Sequence, residues 1–152
     1  MSKLATWSPQ ALAVLRIMTA LLFMEHGLMK LVHFPAAQPG APDPLPSLLY
    51  AAAIIEVVGG ALIAAGLLTR IAAFICSGEM AIGYFMVHAP GSFWPALNHG
   101  EVAILFTFVF FYLIFAGPGA WSLDAFLRRA PSSTPRRDAA DLVQQMRDSD
   151  RY

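Results

Sequence analysis

Apolar residues run almost unbroken through four stretches of the chain: Pro9 to Val32, Pro46 to Leu68, Thr69 to His88 and Asn98 to Ala116. Each is close to the roughly 20 residues that an α-helix needs to cross about 30 Å of hydrocarbon. None shows the polar/apolar alternation of a barrel strand, and lipid admits no third spanning structure. The pattern predicts an all-α fold, an antiparallel bundle of four transmembrane helices at about 9–32, 46–68, 69–88 and 98–116. Between the first two runs, His33 to Leu45 carries Pro35, Pro39, Pro42 and Pro44, which interrupts any helix and predicts a re-entrant or surface loop. The second and third runs meet at Thr69-Arg70 in a tight hairpin. Ala89 to Leu97, with Pro90, Gly91 and Pro95, forms the next turn, and its Phe93 and Trp94 suit a membrane interface.

After Gly117-Pro118-Gly119 the pattern ends. The stretch from Arg128 to Tyr152 is rich in proline, arginine and aspartate and cannot bury enough apolar surface to fold alone. We therefore divide the chain into a membrane domain, residues 1–127, and a polar, disordered C-terminal tail, 128–152, with at most a helical turn or two around Asp138 to Arg147.

Composition supports this division. Only 13% of the 152 residues are charged and 57% are apolar, against roughly 25% charged in soluble domains. Ten Lys plus Arg balance ten Asp plus Glu, so there is no basic excess for nucleic acid, and at zero net charge this much apolar surface needs lipid to solvate it. Cys76 is the single cysteine, which excludes an internal disulfide framework, a thiolate zinc site and dithiol redox chemistry. The positions of the basic residues set an orientation. Lys3, Arg70, Arg128, Arg129, Arg136 and Arg137 fall on one side of a four-span topology and Lys30 on the other, so both termini are expected in the cytoplasm. The first run is too long, and too often interrupted by Arg16, Glu25, His26 and Lys30, to be the apolar core of a signal peptide.

Those interruptions carry the candidate chemistry. Glu25, Glu56, Glu79 and Glu101 place one carboxyl on each predicted helix, although a charge at the bilayer centre costs roughly 2.5–3.5 kcal/mol. The four are expected to face the bundle interior, pair with bases or carry a proton. Glu56 and Glu79 each lie ten residues into neighbouring helices, about 15 Å deep, where they could share one proton. Arg16, about 10 Å deep, either serves that pair as counter-ion or snorkels to the headgroups. Ala13, Arg16, Ala20, Phe23, Gly27 and Lys30 recur at alternating three- and four-residue steps and predict the packing stripe of the first helix; Glu25 lies nearly opposite. Ala52, Ala53, Gly59 and Gly60 surround Glu56 with small residues, so another helix can approach its own face.

A second polar tier occupies the outer half: Glu25, His26 and Lys30, then His88, then Asn98, His99 and Glu101. Asn98 and Glu101 have the spacing of a helix N-cap with its capping box. The functional alternative has His99 and Glu101 exchanging protons or hydrogen-bonding a ligand carbonyl. Neither metal nor haem is expected. A carboxylate-bridged di-iron bundle needs a Glu-x-x-His pair on each of two helices, and the sequence has none. The methionines along the first and third runs read as packing.

Taken together, Leu15-Arg16, the Phe23 to Leu31 stretch with His26-Gly27 and Lys30, Glu56-Val57-Val58-Gly59-Gly60, Gly66-Leu67-Leu68-Thr69-Arg70, His99-Gly100-Glu101 and Trp121-Ser122-Leu123-Asp124 resemble the DoxX (DoxD-like) family of small four-helix membrane proteins, over about residues 10–127. The resemblance implies an inner (plasma) membrane protein linked to quinone-dependent redox, as in the small subunit of thiosulfate:quinone oxidoreductase. It implies quinone as the cofactor and, with no flavin, iron-sulfur or thiol motif in the chain, a protein electron donor or a second copy as partner. In that scheme His26, His99 and Glu101 contact the ring oxygens or relay protons. Lys30 favours the anionic reduced form, Arg16, His88 and Asn98 complete the binding set, and Glu56 with Glu79 form a deeper proton site. The rival functions are a non-catalytic membrane scaffold for another redox protein, whose buried charges only fix helix pairing, and a small proton-coupled carrier.

Overall fold

The computed structural model describes residues 3–129 and is helical throughout its ordered elements. A 3-10 turn, Lys3–Trp7, leads into α1, Ser8–Val32, whose first turn holds Pro9, where a missing N–H is harmless. α1 stops at His33, which turns left-handed (φ 55°) and donates its backbone N–H to Leu28 O. α2, Ser47–Ala65, begins after Pro46 and ends at Gly66 (φ 68°). There the N–H groups of Gly66 and Leu67 bond back to Ile63 O and Leu62 O at 3.0 and 2.9 Å, a glycine-terminated helix end. A Cβ at Gly66 would also run into the Ser122 side chain, so glycine is required there twice over.

Leu68, left-handed at φ 49°, then starts α3, Thr69–Gly83, which widens into a π turn over Tyr84–His88. One turn, α4 (Pro95–Asn98), precedes α5, Glu101–Ala116, and α6 spans Leu123–Arg129. Three segments are long and apolar enough to cross a membrane, Leu4–Val32, Ser47–Ala65 and Thr69–His88, and the fourth apolar helix, Glu101–Ala116, is shorter.

One expectation from sequence needs correction. Asn98 does not cap α5. It closes α4, the chain turns left-handed at His99 (φ 57°), and Gly100 stands at the start of α5 without any side-chain cap. The Asn98 carboxamide oxygen accepts from Gly100 N at 2.8 Å instead, so the capping box with Glu101 is not formed. After Gly119, where the sequence pattern assigns no element, helix α6 forms, with Ser122 Oγ accepting the Ala125 N–H and the Asp124 N–H bonding to Gly66 O. The expectations for the tail beyond Arg129, including a helical turn at Asp138 to Arg147, lie outside the described residues.

α1 packs chiefly on α2, α3 on α5, and α2 on α3. Its stripe is the one the spacing predicts: Ala13, Arg16, Ala20, Phe23 and Gly27 are all buried. Close approach depends on the glycines. A Cβ on Gly27 would sit 2.8 Å from Ala53 O and 2.7 Å from Val57 Cγ2, and one on Gly60 would meet the Met24 side chain. The centre is filled by Phe23, Phe106 and Phe110, with Phe23 edge-on to Phe110 at 4.8 Å between ring centroids, and by Ile63, Ala73, Cys76 and Leu113.

One end of the bundle is tied by three ionic side chains that close helix ends. Arg16, fully buried, donates through Nε to Pro118 O (2.8 Å) and through its terminal nitrogens to Ile63 O, Ala64 O (2.6 Å) and Trp121 O (3.0 Å). It thereby supplies a donor to Ala64 O, among the last carbonyls that a helix leaves without partners, adds a second donor at Ile63 O, and holds the segment after α5. Arg70 does the same for α5, donating to Ile114 O and to Phe115 O at 2.8 Å. Asp124 caps α3 from a distance, accepting from Leu68 N (2.9 Å), Thr69 N (3.1 Å) and Thr69 Oγ1 (3.0 Å). Burial pushes the Asp124 carboxyl up, but those three donors and the nearby Arg128 outweigh it and hold it below its ordinary value.

Candidate functional site

The site is built where α1, α2 and α3 meet. Glu56 is 1% exposed, on the small-residue face of α2. Lys30, one turn beyond Gly27 on the α1 stripe, reaches it: Lys30 Nζ to Glu56 Oε1 is 2.5 Å. Gly27 makes this possible, because a Cβ there would lie 2.9 Å from Glu56 Cβ. The pair is a charge-assisted hydrogen bond in an apolar surround, where its geometry must offset the desolvation of both ions.

The other half of the carboxylate is unused. Glu56 Oε2 is buried with no hydrogen-bond partner, and so is Glu79 Oε2. On α2 and α3, Gly59 meets Cys76 Sγ. Glu56 lies three residues before Gly59 and Glu79 three residues after Cys76, so one turn carries both carboxyls to the same level on facing helices. Lys30, Glu56 and Glu79 would sum to one negative charge if fully ionised. A single proton would neutralise the trio.

Above the ion pair, a cleft of about 390 Å³ opens under the 33–45 loop, with Lys30 in its wall beside Tyr50 and Gln38. The sequence reading missed Gln38 and Tyr50. No spacing or motif marks them, and only the folding of the proline loop over α1 and α2 brings them to Lys30.

The remaining predicted residues are placed elsewhere. Arg16 is committed to carbonyls at the other end of the bundle, so the cation beside Glu56 is Lys30; it neither serves as counter-ion to the acidic pair nor snorkels. His26 is half-buried with its ring edge-on to Phe106, 5.8 Å between centroids. His88 stacks on Tyr84, 6.3 Å away, and its Nδ1 lies 3.0 Å from Asn98 O. A carbonyl can only accept, so Nδ1 carries the hydrogen. Asn98 Nδ2 donates to Ser92 O at 2.8 Å. His88, Asn98 and Tyr84 thus tie the turn before α5. His99 and Glu101 are exposed, and among the described residues no contact joins either of them to His26.

Of the four carboxyls, Glu56 and Glu79 turn into the bundle, whereas Glu25 and Glu101 are exposed. Glu25 lies off the packing stripe of α1, and Glu101 opens α5, where the helix dipole favours an acid without burial. Among the described residues no group of three or more His, Cys, Asp or Glu side chains is arranged to hold a metal ion.

The sequence profile of the DoxX family matches residues 11–89, the segment that carries Lys30, Glu56 and Glu79. The chain belongs to the DoxX family. An "Uncharacterized protein" of Haemophilus influenzae is 43% identical over 131 residues, 82% of this chain and 96% of its own length. An "Uncharacterized membrane protein" of Mycobacterium tuberculosis is 25% identical over 144 residues, covering 85% and 88%. No solved structure matches the chain. With its apolar spans, this DoxX protein is a multi-pass membrane protein.

Proposed function

We propose that this DoxX protein is the integral membrane subunit of a quinone-linked oxidoreductase in the inner (plasma) membrane. It would be an antiparallel bundle crossing four times with both termini cytoplasmic, α5 spanning together with its flanking turns. The observation that carries the reading is the Lys30–Glu56 ion pair, buried in apolar helices beside two carboxylate oxygens without partners. Intramembrane ionisable groups are rare and mark ion, proton or ligand paths. Reducing a quinone to a quinol takes two electrons and two protons. The electrons come from a partner protein, because this chain has one buried cysteine and no cofactor motif. Glu56 and Glu79 handle protons, and Lys30 offers positive charge to the reduced ring. The knot at Arg70, Arg128 and the α2–α3 turn then lies at the cytoplasmic face, and the cleft under the proline loop faces outward.

The test is to purify the complex in mild detergent, identify co-purifying proteins and lipid-soluble molecules by mass spectrometry, and measure quinone reduction. Glu56→Gln should slow it by about 10²-fold, the usual scale for a lost proton-transfer group. An unchanged rate in Glu56→Gln and Glu79→Gln removes the assignment.

One observation favours the scaffold reading. Arg16 shows that this chain does bury a cation for architecture alone. If the complex assembles with its partner and Glu56→Gln changes stability but not turnover, the Lys30–Glu56 pair belongs to the same class.

A further inference from the structure

The cleft under the proline loop contains hydrogen-bonding capacity that neither helix packing nor the ion pair uses. Gln38 Oε1 is buried and accepts nothing. Lys30 donates one hydrogen bond, to Glu56 Oε1, although an ammonium carries three N–H groups. Both residues line the same cleft, whose other walls include the apolar Met29, Leu31 and Leu45 and, at its exposed rim, His33, Asp43 and Tyr50. A molecule that fits this lining must present an acceptor to Lys30, an O–H or N–H donor to Gln38, and apolar surface to Met29, Leu31 and Leu45, and the Asp43 carboxylate at the rim disfavours an anion.

Charge narrows the choice. Glu56 already neutralises Lys30 at 2.5 Å, so a phosphate or carboxylate would bring a second negative charge into a neutral, poorly solvated pair. A neutral carbonyl or hydroxyl oxygen can take an unused Lys30 hydrogen without displacing Glu56. The volume, about 390 Å³, lies within the range of small-ligand sites and accommodates a single substituted ring.

We propose that this cleft binds the head group of a neutral, lipid-soluble hydroxy-aromatic ligand, with Lys30 donating to one ring oxygen and Gln38 Oε1 accepting from a ring hydroxyl. That the ring is a quinol rests on the functional reading above; its location and polarity rest on the cleft. The binding site thereby lies at the α1–α2 mouth and not at the His99–Glu101 turn.

The full-length protein in nanodiscs tests this with three probes: a short-chain quinol, its oxidised quinone, and palmitate. A photoactivatable quinone should label residues 29–50. Gln38→Leu should weaken quinol binding about tenfold, the scale of one lost hydrogen bond to a buried acceptor, and weaken the quinone less, since the quinone has no hydroxyl to donate. Palmitate should bind more weakly than either. Labelling confined to residues 84–101, equal quinol affinity in Gln38→Leu and wild type, or preferential palmitate binding would each overturn the proposal. If quinol binds with its label elsewhere, only this site fails. If neither ring form binds at all, the quinone reading fails with it.

Discussion

Replacing Arg16 with methionine keeps an unbranched apolar stem and removes every donor. Four carbonyls then lose a partner. Those of Ile63 and Pro118 lie in fully buried hydrogen bonds, while those of Ala64 and Trp121 are part-buried. At about 1–3 kcal/mol for the Pro118 acceptor left alone and about 0.5–1.5 kcal/mol for the bond lost at Ile63 O, which keeps the Gly66 N–H, the first two cost about 1.5–4.5 kcal/mol. Relief from burying an ion offsets part of this, leaving a net loss of about 1–3 kcal/mol. Reversible unfolding in mixed micelles of increasing SDS fraction, followed by circular dichroism, measures it. Arg16→Lys should recover only part, because an ammonium has three N–H groups and no planar fork to reach four carbonyls on separate segments. An unfolding free energy for Arg16→Met within about 0.5 kcal/mol of wild type, the range of an inert surface change, would refute the claim that this residue ties α2 to the α5–α6 segment.

Three other outcomes follow from the same geometry. Lys30→Met should destabilise by about 3–5 kcal/mol, because Glu56 is left as a lone buried charge, whereas Lys30→Met combined with Glu56→Leu should lie near wild type; the SDS assay on all three variants gives the coupling, and additive effects would show that the two side chains do not interact. Gly27→Val should separate α1 from α2 and cost at least about 1–3 kcal/mol, since its Cβ alone would meet Ala53 O at 2.8 Å; an unchanged stability would contradict the close helix contact. The third is a pH dependence. The Asp124 carboxyl sits below its ordinary value, so its contribution is present above the unfolded-state value of about 3.9 and is lost as pH falls through the lower folded-state value. Asp124→Asn should therefore lower stability at neutral pH and flatten the acid side of the profile below about pH 4, as read by thermal unfolding against pH; a parallel profile in the variant would exclude Asp124 as the source.

The readable parts of this protein were those set by local pattern. The α1 stripe from Ala13 to Gly27 followed from helical spacing, and Glu56 was expected inside because Ala53, Gly59 and Gly60 surround it. Both are consequences of the 3.6-residue period, which needs no knowledge of the neighbour. The partner of each charge was not readable in this way. Arg16 and Lys30 share one stripe on one helix, and nothing in the spacing says which of them reaches Glu56. The outer tier misled for a related reason. Residues at similar depth need not share a direction, and the left-handed turn at His99 together with the Gly100 start of α5 leaves Glu101 exposed and Asn98 facing Ser92.

By itself, then, the order of residues determined an all-helical membrane protein, the face on which α1 packs, and the presence of carboxyls that lipid would not accept, because apolar length and periodicity act within one helix at a time. The tertiary structure alone decided that Lys30 neutralises Glu56, that Arg16, Arg70 and Asp124 close helix ends, and that Gln38 comes to the same cleft as Lys30. Those outcomes depend on which helices pack together and where a proline loop folds back. A hydrogen bond forms only when two groups come within about 3 Å, and residues 26 or 102 positions apart, as in the Lys30–Glu56 and Arg16–Pro118 contacts, reach that distance only in the assembled bundle.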